Sequence, residues 1–416
     1  MFALVDGNNF YASCEQVFQP KLRDRPLVVL SNNDGCAIAR CAKAKALGIK
    51  MGQPAHQLGE YVQRFGLRMC SANFSLYGDM SARVVSVLGE FVRRIEVYSI
   101  DESFLDLSGV KNRLELGLDI HHAVKQYTGI PCCVGIAPTK TLAKLANKRA
   151  KKGRGVIDLS CVIDREAALD DFPVEDIWGV GRKWAIKLHE RNIHTAAQLR
   201  DTPTDEILTN FGVLLARTQK ELQGTPCLGL EEQEPDRKQI IVSRSFGARV
   251  ECHSEIMEAA ATFAVRASEK LRKRGLVATG VWLFANTDTF RPELRQHHPS
   301  RAIELPIATN DTRLVLEAVR NLFRGFLRKG YAYKKCGIGL LDLSRPENLQ
   351  GDLFKPKVAG NAQLMDTLDQ INRKYGRGAV GLAASGWNKS PVWGMRQKNV
   401  SPHFTTRWED LPRVRC

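Results

Sequence analysis

YSIDESFLDL (residues 98–107) sets two carboxylates, Asp101 and Glu102, side by side within an apolar run of Tyr98, Ile100, Phe104, Leu105 and Leu107 that reads as a β-strand. Adjacent carboxylates repel, and on a strand they point to opposite faces, so the pair requires a reason. A turn or an exposed edge would solvate both charges, whereas a bound metal cation would offset them. The opening run Phe2 to Val5 reads as a second short strand, which stops at Asp6 and passes through Gly7 into a helix. An Asp closing a buried strand is a poor choice for stability alone, so Asp6 becomes a candidate partner for Asp101 and Glu102. Three carboxylates meeting at one sheet edge could hold two Mg²⁺ ions about 3.5 to 4 Å apart, the spacing of two-metal phosphoryl and nucleotidyl transferases.

Charge points the same way. Lys plus Arg number 61 against 45 Asp plus Glu, a formal charge of +16 over 416 residues, which favours a polyanionic partner with nucleic acid ahead of a membrane surface. Residues 236 to 345 carry 20 Lys plus Arg against 11 Asp plus Glu, so about a quarter of the chain supplies +9 of that excess. No apolar stretch is long enough to span a membrane and the first residues do not read as a signal peptide, so a cytoplasmic protein without a membrane partner is expected. The eleven cysteines form no C-x-x-C pair, and the His121-His122 and His297-His298 tandems diverge on any regular backbone; reduced thiols are expected rather than a zinc site.

The length implies several domains. Pro26 to Asn33 reads as a strand and Ala37 to Pro54 as a basic, Ala-rich helix closed by Gly48 and Gly52, with helical periodicity again from about 77 to 95. Pro131 to Gly155 reads as a strand, a turn and a basic helix on which Lys140, Lys144, Lys148 and Lys151 share a face. That face is either solvated or aimed at phosphates. In Trp178 to Leu199, Gly179 and Gly181 bracket a valine between two helical patterns, as in a helix-hairpin-helix whose backbone N–H groups bind a DNA phosphate. Beyond it, three strands (IIVSRSFGARV, GVWLFAN, KKCGIGLLDL) alternate with two helices, which suggests a small α+β domain with a basic sheet face. Residues 346–416, rich in Gly, Pro and Asn, read as loosely folded or partner-dependent.

The motifs VDGNNFYASCE, YSIDESFLDL, VGIAPTKTLAKLANKRAKK and WGVG stand in the order and spacing of the Y-family translesion DNA polymerases, and the chain resembles that family over essentially its full length. LSNNDGCAIARCAKAKALGIKMG and SRSFG resemble its UmuC type. The resemblance implies an α+β multidomain right hand: a palm (1–20 and 75–165), small fingers (21–74), a helix-hairpin-helix thumb (166–232), an α+β little finger (240–345) and a tail (346–416). It implies an error-prone polymerase of the bacterial SOS response that adds dNTPs to a primer 3′-hydroxyl across damaged bases, with two Mg²⁺ as cofactors. Asp6, Asp101 and Glu102, assisted by the Gly7 carbonyl, would be the metal ligands. Tyr11 resembles the steric gate that excludes a ribose 2′-hydroxyl, with Phe10 in support. Lys151 and Lys45 would contact the triphosphate, while Ala42 falls where many relatives carry a triphosphate-binding tyrosine. Gly179, Gly181 and Arg244 would contact damaged primer-template DNA. Gln350, Leu353 and Phe354 have the form of a peptide that docks on the sliding clamp, and the tail beyond resembles the region that engages the UmuD′ homodimer; a RecA filament is the remaining implied partner, with association to the nucleoid when active.

Two rivals are a non-catalytic DNA-binding scaffold and a metal-dependent nuclease. The intact Asp6, Asp101 and Glu102 set argues against the first, and Tyr11 with the lysine helix against the second.

Overall fold

The computed structural model describes residues 1–231, 236–350, 354, 358–376, 378–386 and 391–411. They divide into two compact units, one of Met1–Ser31, Gly35–Glu234 and Asn399–Cys416, the other of Asn32–Asp34 and Pro235–Lys398. Helices packed on mixed sheets in the first and on an antiparallel sheet in the second give an α+β architecture.

The first unit holds strands β1 (Phe2–Gly7), β2 (Leu27–Leu30), β3 (Ala37–Arg40), β4 (Arg68–Ser71), β5 (Ile95–Val97), β6 (Glu102–Asp106), β7 (Cys132–Ala137) and β8 (Val156–Asp158). Five of them form a sheet in the order β5-β6-β1-β7-β8, with β1 central and antiparallel to both neighbours. The period of two decides what each face carries. Ala3 and Val5 join Leu105, Val134 and Ile136 in one core, while Leu4 and Phe104 join Leu142, Leu145 and the helices of residues 162–222 in the other. A central strand buried on both faces reads as continuously apolar, which is why FALV shows no alternation. Helix Lys140–Ala150 lies directly on β7, and a Cβ added at Gly135 would collide with the backbone of Asn147 and Ala143.

The second sheet of this unit runs β3-β2-β4. The expected helix over Ala37 to Pro54 is largely absent: Ala37–Arg40 is strand β3, paired antiparallel to β2, and only Ala42–Ala46 is helical. Alanine's helical preference is worth a few tenths of a kcal/mol per residue, less than ladder hydrogen bonds and the burial of Ala37 and Ala39 against Val28 and Val29.

The second unit is a four-stranded antiparallel sheet, β11-β10-β12-β9, built from β9 (Gln239–Val250), β10 (Ala278–Thr287), β11 (Ser300–Thr309) and β12 (Tyr333–Leu341). Helices His253–Lys273 and Thr312–Phe323 pack into its core. The sequence pattern shows only three of these strands. SRAIELPIAT is an edge strand, mostly exposed and interrupted by Pro306, so it lacks alternating burial. The tail is also more ordered than its composition suggests. Ala362–Tyr375 is a helix capped by the Asn361 side chain, with Met365 buried and Asp369 paired to Arg272 at 2.7 Å. Among the described residues no helix is long and apolar enough to cross a membrane, and the ten cysteines are free.

Candidate active site

The pairing of β1 with β6 sets Asp6 directly opposite Glu102, two residues beyond the Leu4–Phe104 pair and so on the same face. Both acids therefore leave the sheet on the face covered by helix Lys140–Ala150. Lys144 reaches both Glu102 oxygens at 2.9 and 3.0 Å, and Lys151, just past the helix end, reaches Asp6 Oδ2 at 2.6 Å. A cleft of about 360 Å³ opens here, lined among others by Asp6, Glu102, Lys144, Lys151 and Trp178.

Asp101 is placed differently from the continuous strand 98–107. Tyr98 to Asp101 form the bend between β5 and β6, and β6 starts at Glu102. The bend answers the repulsion of the two adjacent carboxylates, since Asp101 need not alternate with Glu102 on a strand. Its Oδ1 accepts from Ser99 Oγ at 2.7 Å, and its carbonyl accepts from the Gly7 amide at 2.9 Å, which ties the bend to the end of β1. Among the described residues no three acidic, His or Cys side chains close into a metal cage, and each of the three carboxylates has a lysine or hydroxyl partner.

The electrostatics still fit a cation. Burial pushes the Asp6 carboxyl up to about 6 against the pull of Lys151, and the charges of Glu102 and Asp101 push it further the same way. Two lysines against three carboxylates thus leave the cluster short of positive charge, and its donors are hard oxygens of the kind that Mg²⁺ prefers.

The four lysines are neither a solvated stripe nor a bare phosphate track. Lys140 is buried and paired with Glu96, Lys144 with Glu102, Lys148 with Asp176 and Lys151 with Asp6, so opposite charges offset the like-charge spacing on the helix. Lys140 accordingly does not reach the cleft. Lys144 also lies 4.4 Å from the ring centre of Tyr98 and 5.3 Å from that of Trp178, an aromatic enclosure with no signal in local spacing.

Tyr11, half-buried at the start of helix Phe10–Phe18, stacks on Tyr77 at 4.5 Å and 17° and meets Phe74 edge-on at 6.0 Å. Burial, then the charge of Asp101, pushes its phenol up, which places the ring in the field of the acidic bend. Phe10 is buried beside it, its ring against Gly7. Lys45 is exposed; partial burial and then the charges of Arg40 and Lys151 push its ammonium down, while Asp6 pulls the other way. Arg40, Lys45 and Lys151 thus share one field. The sequence reading missed Arg40, a β3 residue hidden in the supposed helix. Ala42 is exposed beside them.

Gly179 takes the left-handed conformation (φ +92°) that its turn requires, and Gly181 caps helix Arg182–His189. In the second unit Arg244 is exposed on β9, its guanidinium donating to the Ser243 carbonyl. Gln350 and Phe354 are exposed, and Leu353 lies outside the described residues.

Residues 5–148 match the impB/mucB/samB family, residues 237–353 the impB/mucB/samB family C-terminal domain, and residues 362–414 a domain of unknown function. The chain is 44% identical to Protein UmuC of Salmonella typhimurium over 424 residues, covering all of both chains. It is 26% identical to DNA polymerase IV of Moorella thermoacetica, covering 92% of this chain and 95% of that one. In fold it is similar to a Y-family DNA polymerase chimera of Dbh and Dpo4, with a TM-score of 0.66 at 22% identity, over 83% of this chain and all of the other. The chain belongs to the impB/mucB/samB family and, within the Y-family DNA polymerases, to the UmuC type.

Proposed function

We propose that the chain is an error-prone translesion polymerase of the SOS response, extending a primer 3′-hydroxyl with dNTPs across damaged template bases. The observation that supports this most is the cross-strand pairing of Asp6 with Glu102 beside Asp101, with Tyr11 in the field of Asp101 and with Lys151 and Lys45 in that of Asp6. A nuclease has no use for a buttressed aromatic at the sugar position.

Asp6, Asp101, Glu102 and the Gly7 carbonyl would hold two Mg²⁺ ions, whose chemistry is to acidify the primer hydroxyl and to neutralise charge on the triphosphate and pyrophosphate. The chain's own groups do the rest. Lys151 exchanges Asp6 for a phosphate oxygen of the incoming nucleotide, with Lys45 and Arg40 supporting the same polyanion in place of the tyrosine missing at Ala42. Tyr11, backed by Phe10 and Tyr77, occupies the space a ribose 2′-hydroxyl would need. Gly179 and Gly181 offer backbone donors to a DNA phosphate, and Arg244 with the basic strand-rich region grips the duplex.

In this reading residues 1–20 and 75–165 are the palm, 21–74 the fingers, 166–232 the thumb and 240–345 the little finger. Gln350, Leu353 and Phe354 dock on the sliding clamp, a UmuD′ homodimer engages the tail, and a RecA filament activates the complex at the nucleoid. Primer extension over an abasic template, with Mg²⁺, four dNTPs, UmuD′, RecA filament and clamp, tests it. Extension past the lesion that vanishes in Asp101→Asn while DNA binding persists is expected. Bound DNA with no extension by either protein would point to a scaffold instead.

A further inference from the structure

We infer that the segment 399–404, within the match to a domain of unknown function, is a positioning element of the sugar-selecting site. It acts through Ser401 on the buried floor beneath Tyr11. The inference rests on the reading of Tyr11 as the steric gate.

The segment returns to the first unit through an isolated β-bridge. Val400 bridges Ser71 in parallel at the free edge of β4; the Ser71 amide donates to the Asn399 carbonyl at 2.9 Å, and the Asn399 amide donates to Ser71 Oγ at 3.0 Å. Asn73, 2% exposed, clasps the next residues. Its amide donates to the Ser401 carbonyl, Ser401 Oγ and the Pro402 carbonyl at 3.0 to 3.2 Å, while its Oδ1 accepts from Leu76 N to cap helix Phe74–Gly89. That helix carries Phe74 and Tyr77, the two rings against which Tyr11 lies. Further along, Phe404 stacks on Phe18 at 5.1 Å and 9°, at the far end of the helix that begins with Phe10 and Tyr11.

Glu15 joins these parts. Its side chain has no exposure, so its oxygens depend on protein donors. Oε1 accepts from Tyr77 Oη at 2.7 Å and from Ser401 Oγ at 3.0 Å, and Oε2 accepts from Gln19 at 3.2 Å. Tyr77 is itself fully buried, so its hydroxyl bond to Glu15 sets where its ring lies under Tyr11. Ser401 shares the acceptor atom that holds Tyr77, and loss of its hydroxyl leaves Glu15 and then Tyr77 free to shift. A gate that excludes one oxygen atom is sensitive to shifts of that size. The tail therefore tunes discrimination without touching substrate.

The test is single-nucleotide insertion by the full-length chain with its accessory proteins, comparing kcat/KM for dCTP and rCTP opposite guanine. Tyr11→Ala is expected to collapse the preference for dCTP. Ser401→Ala is expected to lower it roughly threefold to tenfold, the worth of one buried hydrogen bond, with dCTP insertion little changed, and Ser401→Thr to restore it. Tyr77→Phe removes the other donor to the same atom, so the Ser401→Ala, Tyr77→Phe double variant should fall no further than the worse single one. A wild-type ratio in Ser401→Ala, or an equal loss on both nucleotides, overturns the positioning role while Tyr11→Ala still upholds the gate. Full multiplication of the two single effects also overturns it. An unchanged ratio in Tyr11→Ala removes the gate and this inference with it.

Discussion

Replacing Asp6 with Asn should stabilise the metal-free protein at neutral pH and sharply weaken its response to Mg²⁺. Burial holds the Asp6 carboxyl at about 6, against 3.8 for an unperturbed Asp, despite the Lys151 ion pair. The folded state thus binds the proton more tightly than the unfolded state. The cost of ionising Asp6 is absent below about pH 4, grows as the pH rises from 3.8 to about 6, and is complete above that. Two pKa units correspond to about 3 kcal/mol, an upper value because Asn leaves Lys151 without its partner. Lys151 is 41% exposed and water compensates most of that loss, so about 1 to 3 kcal/mol should remain. Urea midpoints of both proteins in EDTA from pH 5 to pH 8 measure it, provided the slopes agree. The advantage of the Asn variant should widen from pH 5 to just above about pH 6 and then level off. Saturating MgCl₂ should then stabilise the wild type by about 2.7 kcal/mol at a hundredfold excess over Kd, and the variant far less. A variant less stable than the wild type at pH 8, or a gap constant with pH, would refute the reasoning.

Three further outcomes follow from packing and charge. Gly135→Ala drives a Cβ into the backbone of Asn147 and Ala143, where no side chain can give way, and should cost about 3 kcal/mol or more; a melting temperature within 2 °C of the wild type would contradict the close contact of β7 and its helix. Asp369→Ala leaves Arg272, 7% exposed, without its bidentate partner and should cost about 3 kcal/mol in the second unit, read from hydrogen exchange along helix Ala362–Tyr375. Lys144→Met removes the cation bound to Glu102 and should tighten Mg²⁺ binding roughly threefold to tenfold by calorimetry, whereas weaker binding would show that Lys144 supports the ligands rather than competing for them.

The acidic set was legible because two local patterns exposed it: an apolar strand that stops on Asp6, and an acidic pair that interrupts another. Tyr11 was legible only through the resemblance, since an aromatic near a helix start is ordinary. Strand β3 was misread because four residues with two alanines carry too little signal against a basic, Ala-rich context. Strand β11 was missed because an exposed edge needs no apolar alternation.

What the sequence determined alone is local: the apolar strand that closes on Asp6, the apolar run that carries Asp101 and Glu102, the basic helix behind them, and the excess positive charge. Only the tertiary structure decided the register that sets Asp6 opposite Glu102, the lysine each acid holds, and the bond from Ser401 to Glu15 across 386 positions. Local patterns follow from propensity and periodicity within a few turns of chain. Which carboxylate meets which cation depends on how distant strands pair and which helix covers them, and no short window of residues contains that information.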